Sequence, residues 1–291
     1  MRNFVIAIPV YNDWSNLNRL LKNLSLVAKN NKLLFSILVI NDFSSTKPKI
    51  KFKKNRNIIK LNLLNLNKNL GSQRAIAVAL KYLAKSNENK KQNIIIMDSD
   101  GQDDPNVIKN LIDTYKKYYP EIVVVERTNR NEPFWFKLLY FLHKSILFLF
   151  TGNSIKFGNF SLIRFNKTKD LINKSDLWAA YPAAIVSNLN NIKRIKSERK
   201  KRYSGNSKVN LIKLFNHSSR VFSVFKIKIL IFSIIYYFIT YFILTNSIFF
   251  LNLLFISLIL ANIYNLYVDL NNKRDLKESL NFLRIRKRKV F

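Results

Sequence analysis

The chain contains no cysteine. That excludes disulfides, thiolate zinc sites and cysteine nucleophiles, and leaves oxygen ligands or the two histidines for any metal. His143 and His217 are isolated from each other in the sequence, so surface or packing roles suit them better than ligation. Glycine is nearly as scarce, with five in 291 residues, and each of Gly71, Gly101, Gly152, Gly158 and Gly205 marks a place where a backbone turn is useful. Acidic residues are few: seventeen Asp and Glu stand against fifty Lys and Arg, a formal net charge of +33. A surface so cationic suits nucleic acid, an acidic membrane leaflet or phosphorylated substrates, although a genome rich in Lys and Asn codons produces the same excess without selection. With 48% hydrophobic and 13% aromatic residues, a disordered or fibrous chain is excluded. The N-terminal run meets Pro9 too early for a signal-peptide core, so the first domain is expected in the cytoplasm.

Long apolar runs are confined to the last quarter. Residues 227–245 and 248–268 each carry enough Ile, Leu and Phe to cross a bilayer core of about 30 Å, and both are expected to be transmembrane helices. Thr245, Asn246 and Ser247 between them form an uncharged turn. Lys226 and Lys228 precede this hairpin, and Lys273, Arg274, Lys277 and the basic stretch 284–289 follow it; the positive-inside rule then puts both ends in the cytoplasm. Residues 208–226 read as a juxtamembrane amphipathic helix, 269–291 as a basic cytoplasmic tail, and 133–150 as an interfacial or packing helix.

Residues 1–207 have a different pattern. Short β-rich runs at 4–10, 35–41, 58–66, 93–98 and 122–126 alternate with helical spacing such as Leu17, Leu20, Leu21, Leu24 and Val27. Asp104-Pro105 reads as a cap and first residue of a helix, while the Lys-rich stretches 47–60 and 192–202 read as loops. This alternation predicts an α/β fold with a mostly parallel, doubly wound sheet, whose ligands sit at the carboxyl ends of the strands. Four of the seventeen acids fall within Asp98-Ser99-Asp100-Gly101-Gln102-Asp103-Asp104, directly after the apolar strand 94–97. Asp98 and Asp100 share a side, so their oxygens suit one hard cation such as Mg2+ or Mn2+. Asp13 and Asp42 follow the first two strands, bringing three loops' carboxylates to one rim, and Gly71 opens a helix whose free N–H groups suit an anion or nucleotide.

The segments IPVYND (8–13), VINDFSS (39–45), NLGSQRA (69–75), MDSDGQDDP (97–105), Glu126-Arg127 and RYSGNSK (202–208), followed by two apolar helices, resemble family 2 glycosyltransferases of the polyprenyl-phosphate type, such as dolichol-phosphate mannosyltransferase and undecaprenyl-phosphate glucosyltransferases. The resemblance implies a GT-A nucleotide-sugar-binding fold and an inverting transfer of one sugar from a UDP- or GDP-sugar to polyprenyl phosphate, for cell-envelope glycan assembly or protein glycosylation. It implies donor binding by Pro9, Tyr11, Asp13, Asp42, Gly71 and Asp98, with Asp13 replacing the usual Glu. It implies a metal held by Asp98, Asp100 and Gln102, and a catalytic set of Asp100, Asp103, Arg127, Arg202, Ser207 and Lys208, the last two placed for the acceptor phosphate. Asn159 stands where relatives carry Asp, which removes any acid or base role there, and Asp104 replaces a second proline and serves as a helix cap.

Implied partners are the donor, the lipid phosphate and the bilayer, with no nucleic acid; a homo-oligomer is compatible with the sequence. A processive polysaccharide synthase is disfavoured because none of Gln73, Gln92 and Gln102 begins a Gln-x-x-Arg-Trp motif. A membrane-tethered nucleic-acid-binding protein leaves the acid cluster unexplained. The remaining alternatives are a family member with another acceptor and a catalytically weakened membrane scaffold, to which Asn159 points.

Overall fold

The computed structural model describes residues 3–86, 92–128, 134–205, 211–243, 247–282 and 286–290. It divides into two compact units, one formed by Met1–Arg130, Lys156–Lys208 and Ser279–Phe291, the other by Asn131–Ile155 and Val209–Glu278.

The first unit is built on a mixed eight-stranded sheet of order β7-β5-β6-β4-β1-β2-β3-β8. Its strands are β1 (Asn3–Val10), β2 (Leu34–Asn41), β3 (Ile58–Asn65), β4 (Asn93–Ile96), β5 (Ile122–Arg127), β6 (Phe157–Ile163), β7 (Ile192–Ser197) and β8 (Arg286–Lys289). The central strands β1 to β4 are mutually parallel. Residues 4–10 of β1 are all buried, without the alternation of a half-exposed strand, because helices cover both faces. One of those helices, α1 (Trp14–Asn30), buries Leu17, Leu20, Leu21, Leu24 and Val27, the spacing visible in the sequence. The others in this unit are α2 (Ser72–Lys85), α3 (Val107–Tyr118), α5 (Phe165–Leu171), α6 (Ser175–Ala179) and α7 (Tyr181–Asn188).

Several expectations shift. The helix after the acid cluster begins at Val107; Asp104 and Pro105 form the turn before it, where Asp104 Oδ1 accepts the Asn106 N–H at 3.0 Å. The stretch expected as a loop at 192–202 opens with β7, parallel to β5. Its sequence IKRIKS is a charged edge strand, which blunts edge-to-edge pairing and hides the strand from a hydrophobicity reading. Strand β6 runs antiparallel to both β4 and β5, so the sheet is less uniformly parallel than expected. Within the expected basic tail, 286–289 forms β8, antiparallel to β3, and the Val290 N–H reaches the Leu61 carbonyl at 2.9 Å.

The second unit holds α4 (Phe134–Thr151), α8 (Leu211–Val224), α9 (Lys226–Ile243) and all but the last four residues of α10 (Ile248–Phe282). Helices α9 and α10 are long and apolar enough to cross a membrane. Their outward surface is apolar, with Phe242, Ile243 and Phe249 more than 70% exposed. Polar groups turn inward instead: Lys226 and Lys273 pair with buried Asp269 at 2.8 and 2.9 Å, and Asn262 donates to Ser233 at 3.0 Å. Helix α10 continues past residue 268, where the apolar run stops, for about four further turns at 3.6 residues each. Thr245 and Asn246 of the expected turn lie outside the described residues.

Candidate active site

Chain order in the sheet reverses between β1 and β4: β2 and β3 lie on one side of β1, and β4 on the other. Loops leaving the carboxyl ends of β1 and β4 therefore diverge and open a crevice, the usual ligand position in such sheets. Four stretches meet there.

The first follows β1. Pro9 is within the strand, Tyr11 is exposed, and Asn12 adopts a left-handed backbone (φ 51°) that an Asn tolerates. The Asn12 N–H donates to Ser44 Oγ at 2.9 Å and its Oδ1 accepts the Thr46 N–H at 3.2 Å, fixing this turn to the loop after β2. Asp13 is thereby presented to the crevice, where its Oδ2 lies 2.5 Å from an Arg202 guanidinium nitrogen.

Asp42 follows β2, is buried, and is fully occupied by the chain itself. Its two oxygens accept the Leu70 N–H at 2.7 Å and the Gly71 N–H at 2.8 Å. Burial pushes this carboxyl above its ordinary value, partly opposed by those two N–H donors. The Gly71 N–H, expected to be free for an anion, is thus used internally, because the Asp42 carboxyl one strand away reaches it first. We expect Asp42→Asn to turn an NH2 toward one of the two donors and destabilise the protein by about 1–3 kcal/mol, the cost of one buried unsatisfied group. Thermal unfolding checks this.

The third stretch is the acid loop after β4. Asp103 is buried; its Oδ2 accepts the Asp98 N–H at 2.9 Å, which curls the loop back on itself. The Asp100 Oδ1 accepts the Gln102 N–H at 3.0 Å. An Arg127 nitrogen sits 3.9 Å from Asp98 Oδ2 and 3.7 Å from Asp103 Oδ1. Gly158 makes room for that guanidinium, since a Cβ there would lie 2.7 Å from an Arg127 nitrogen.

The fourth stretch, 199–204, lies over the acid loop. The Lys200 N–H donates to the Gln102 carbonyl and the Tyr203 N–H to the Asp100 carbonyl, both at 3.0 Å. The Tyr203 ring covers Gly101, and Arg202 bridges Asp13 to Asp100 Oδ2, the latter at 3.5 Å. Gln102, expected as a metal ligand, instead turns its Oε1 to Arg199 at 2.5 Å, because Arg199 crosses the loop beside it. Ser207 and Lys208, expected at the acceptor, lie outside the described residues.

Asp13, Asp98, Asp100 and Asp103 thus face the guanidinium groups of Arg127 and Arg202, and Arg199 also acts on Asp100. By formal charge these acids still outnumber the three cations, within an otherwise cationic chain. Burial, and then the neighbouring Asp98 charge, push the Asp100 carboxyl above its ordinary value. The same causes in the same order push Asp103 up to about 7, against the opposing pull of Arg127. A folded-state pKa above the ordinary 3.8 means that the folded protein binds the Asp103 proton more tightly than the unfolded chain does. Stability of the metal-free protein should therefore fall as pH rises from about 4 to about 7 and level off above, and Asp103→Asn should flatten that slope. Melting temperature against pH, with chelator present, measures it.

An excess of crowded oxygen anions is what a hard divalent ion relieves, so the donor set fits Mg2+ or Mn2+ through Asp98 and Asp100. Among the described residues no three His, Cys, Asp or Glu side chains are arranged to enclose an ion by themselves. Two carboxylates completed by substrate phosphates and water is the ordinary arrangement for Mg2+.

Gln73, for which the sequence predicts no role, and Asn159 complete the site. Gln73, at the start of α2, donates its amide to Asn159 Oδ1 at 2.7 Å and accepts the Tyr181 N–H at 2.8 Å; Asn159 donates to Asp98 Oδ1 at 3.0 Å. Gln73 lay within NLGSQRA, but its spacing from Asn159 and Tyr181 carried no local signal.

Residues 5–176, more than half of the chain, match the model of Glycosyl transferase family 2. An uncharacterized glycosyltransferase of Synechocystis, sll0501, is 32% identical over 136 residues, which is 45% of this chain and 40% of that protein. The uncharacterized glycosyltransferase YkcC of Bacillus subtilis is 29% identical over 136 residues, 46% of this chain and 40% of its own. The match thus spans less than half the length of either relative. Among solved structures, glucosyl-3-phosphoglycerate synthase from Mycobacterium tuberculosis, in complex with Mn2+, UDP and glucosyl-3-phosphoglycerate, shares the fold with a TM-score of 0.52 at 11% identity, covering 78% of this chain and 80% of that one. Mannosyl-3-phosphoglycerate synthase from Rubrobacter xylanophilus gives 0.52 at 12% identity, with 77% and 72% covered.

Proposed function

Because the chain belongs to Glycosyl transferase family 2, we propose that it transfers one sugar from a nucleotide-diphosphate donor to polyprenyl phosphate at the cytoplasmic face of a membrane. The observation that carries this reading is the convergence of Asp13, Asp98, Asp100 and Asp103 with Arg127 and Arg202 at the sheet's switch point, in a chain that also carries two helices apolar enough to span a bilayer.

In the transfer, the bond between the anomeric carbon and the donor diphosphate breaks and the electron pair leaves with the nucleoside diphosphate. An acceptor phosphate oxygen attacks the same carbon from the opposite side, which inverts it. That oxygen is already ionised near neutral pH, so no strong base is needed, in keeping with Asn159, which takes no proton. Arg127 and Arg202 are held by carboxylates until a diphosphate offers better acceptors, and they then offset charge on the leaving group. Asp98 and Asp100 would hold Mg2+ or Mn2+, which when bound neutralises the departing diphosphate. Tyr11, Asp13 and the adjoining turn flank the nucleotide. Lys228, Arg274 and Lys277 border the apolar helices, and cations beside anionic headgroups add about 1 kcal/mol each.

The test supplies membranes carrying the full chain with a panel of labelled UDP- and GDP-sugars, polyprenyl phosphate and Mn2+ or Mg2+. One donor should label the lipid fraction. Transfer only to a non-lipid acceptor retains the family chemistry and refutes the acceptor. No transfer from any donor favours the second reading, a catalytically weakened scaffold, to which Asn159 points.

A further inference from the structure

Asn159 offers Asp98 an amide where an acid would offer a second carboxylate, and the way that amide faces is determined from a distance. The backbone N–H of Tyr181 only donates, so the partner atom of Gln73 at 2.8 Å must be its carbonyl Oε1. The Gln73 NH2 then faces Asn159 Oδ1 at 2.7 Å, and this leaves the Asn159 NH2 for Asp98 Oδ1 at 3.0 Å. Each donor in the series is fixed by the one before it. Tyr181 and Asn159 are anchored in buried structure: the Tyr181 side chain is fully buried with its hydroxyl 2.8 Å from Ser161 Oγ, and Ser161 Oγ donates to the Asn159 carbonyl at 2.9 Å.

From this geometry, and resting on the reading of Asp98 as a ligand of the divalent ion, we infer that Gln73 and Asn159 form an amide relay that positions the Asp98 carboxylate for the ion. Asn159 occupies one Asp98 oxygen, Oδ1, while Arg127 lies beside the other, Oδ2, at 3.9 Å. The carboxylate is thereby held between an amide and a guanidinium rather than free to rotate. Asn159 and Gln73 are positioning residues: neither needs to touch substrate. The relay also gives the departure at position 159 a physical purpose, since a neutral donor adds no further negative charge to a group of four carboxylates.

Partners of metal-binding side chains typically change metal affinity 10–100-fold when removed. The experiment therefore titrates Mn2+ into the purified full chain in detergent and follows the free Mn2+ signal by electron paramagnetic resonance, without donor or turnover. Asn159→Leu, neutral and of similar volume, should weaken Mn2+ binding by about 10–100-fold. Gln73→Leu, which does not touch Asp98, should weaken it as well, by about 3–10-fold. The double variant should bind like Asn159→Leu alone, because Gln73 acts only through Asn159; independent structural damage would add instead. Asp100→Ala serves as the control that abolishes binding and leaves the free Mn2+ signal undiminished. Wild-type-like binding by Asn159→Leu while Asp100→Ala is blank overturns the relay and leaves the metal reading intact. Additive losses in the double variant also overturn it. Absence of Mn2+ binding by the unaltered protein overturns the metal reading and the relay together.

Discussion

Asp100→Ala is expected to reduce sugar transfer by about 10³-fold or more, since a bound cation supplies several kcal/mol at a developing charge and each 1.4 kcal/mol or so is tenfold in rate. The carboxylate is poorly solvated, lies against Asp98, and is compensated by Arg202 at 3.5 Å, the Gln102 N–H at 3.0 Å and the charge of Arg199. Asp100→Asn separates charge from shape: its carbonyl still accepts from Gln102, so the turn survives while the anion is lost. We expect nearly the same loss of transfer with little change in melting temperature. Asp113→Ala, on an exposed face of α3 where it pairs with Lys109, should transfer sugar at the unaltered rate. Rates of labelled lipid formation in matched membranes decide the matter, and an Asp100→Asn enzyme within tenfold of the unaltered one removes Asp100 from the mechanism.

Gly101→Ala is expected to be far more damaging than Gly71→Ala. Gly71 and Gly101 both have φ 82°, a region that costs a side-chain-bearing residue about 1–3 kcal/mol. At Gly71 the added Cβ meets nothing within 4 Å, whereas at Gly101 it would lie 2.4 Å from the Tyr203 ring. Gly71→Ala thus measures backbone strain alone, and Gly101→Ala adds displacement of Tyr203. That ring is also held by Arg19, 4.6 Å from its centroid, and by Asn23, whose amide donates to the Tyr203 hydroxyl at 2.7 Å. It can retreat only by dragging 199–204 off the acid loop, and Arg202 with it. Gly101→Ala should therefore melt lower than Gly71→Ala and lose most of its donor affinity as well. Equal melting temperatures for the two would mean that the Tyr203 lid gives way freely.

Which features were legible follows from their range along the chain. The strands 4–10 and 35–41 are legible as short, continuously apolar runs, and the helix carrying Leu17, Leu20, Leu21 and Leu24 because its burial repeats with the helical period. The crowding of Asp98, Asp100 and Asp103 was visible because all three belong to one turn. Strand β7 was not, since Lys193, Arg194 and Lys196 on an exposed edge look like a loop to any reading based on hydrophobicity. Nor were the partnerships of Asp42 with Gly71, Asp13 with Arg202, and Gln73 with Asn159: those residues are 29, 189 and 86 positions apart, and only the folded sheet brings them together. Gln102 shows the limit of motif position, because a neighbour nearly a hundred residues later, Arg199, decides where its side chain points.

The way β8 completes the sheet bears on how the protein can be handled. The catalytic unit is assembled from three separate lengths of chain, and the last of them comes after the apolar helices. A water-soluble version obtained by stopping at residue 205 discards that last length and uncovers the β3 edge, whose backbone N–H and C=O groups then become a template for self-association. Preparing the catalytic unit without lipid therefore calls for excising the apolar helices internally and rejoining the final strand through a flexible linker.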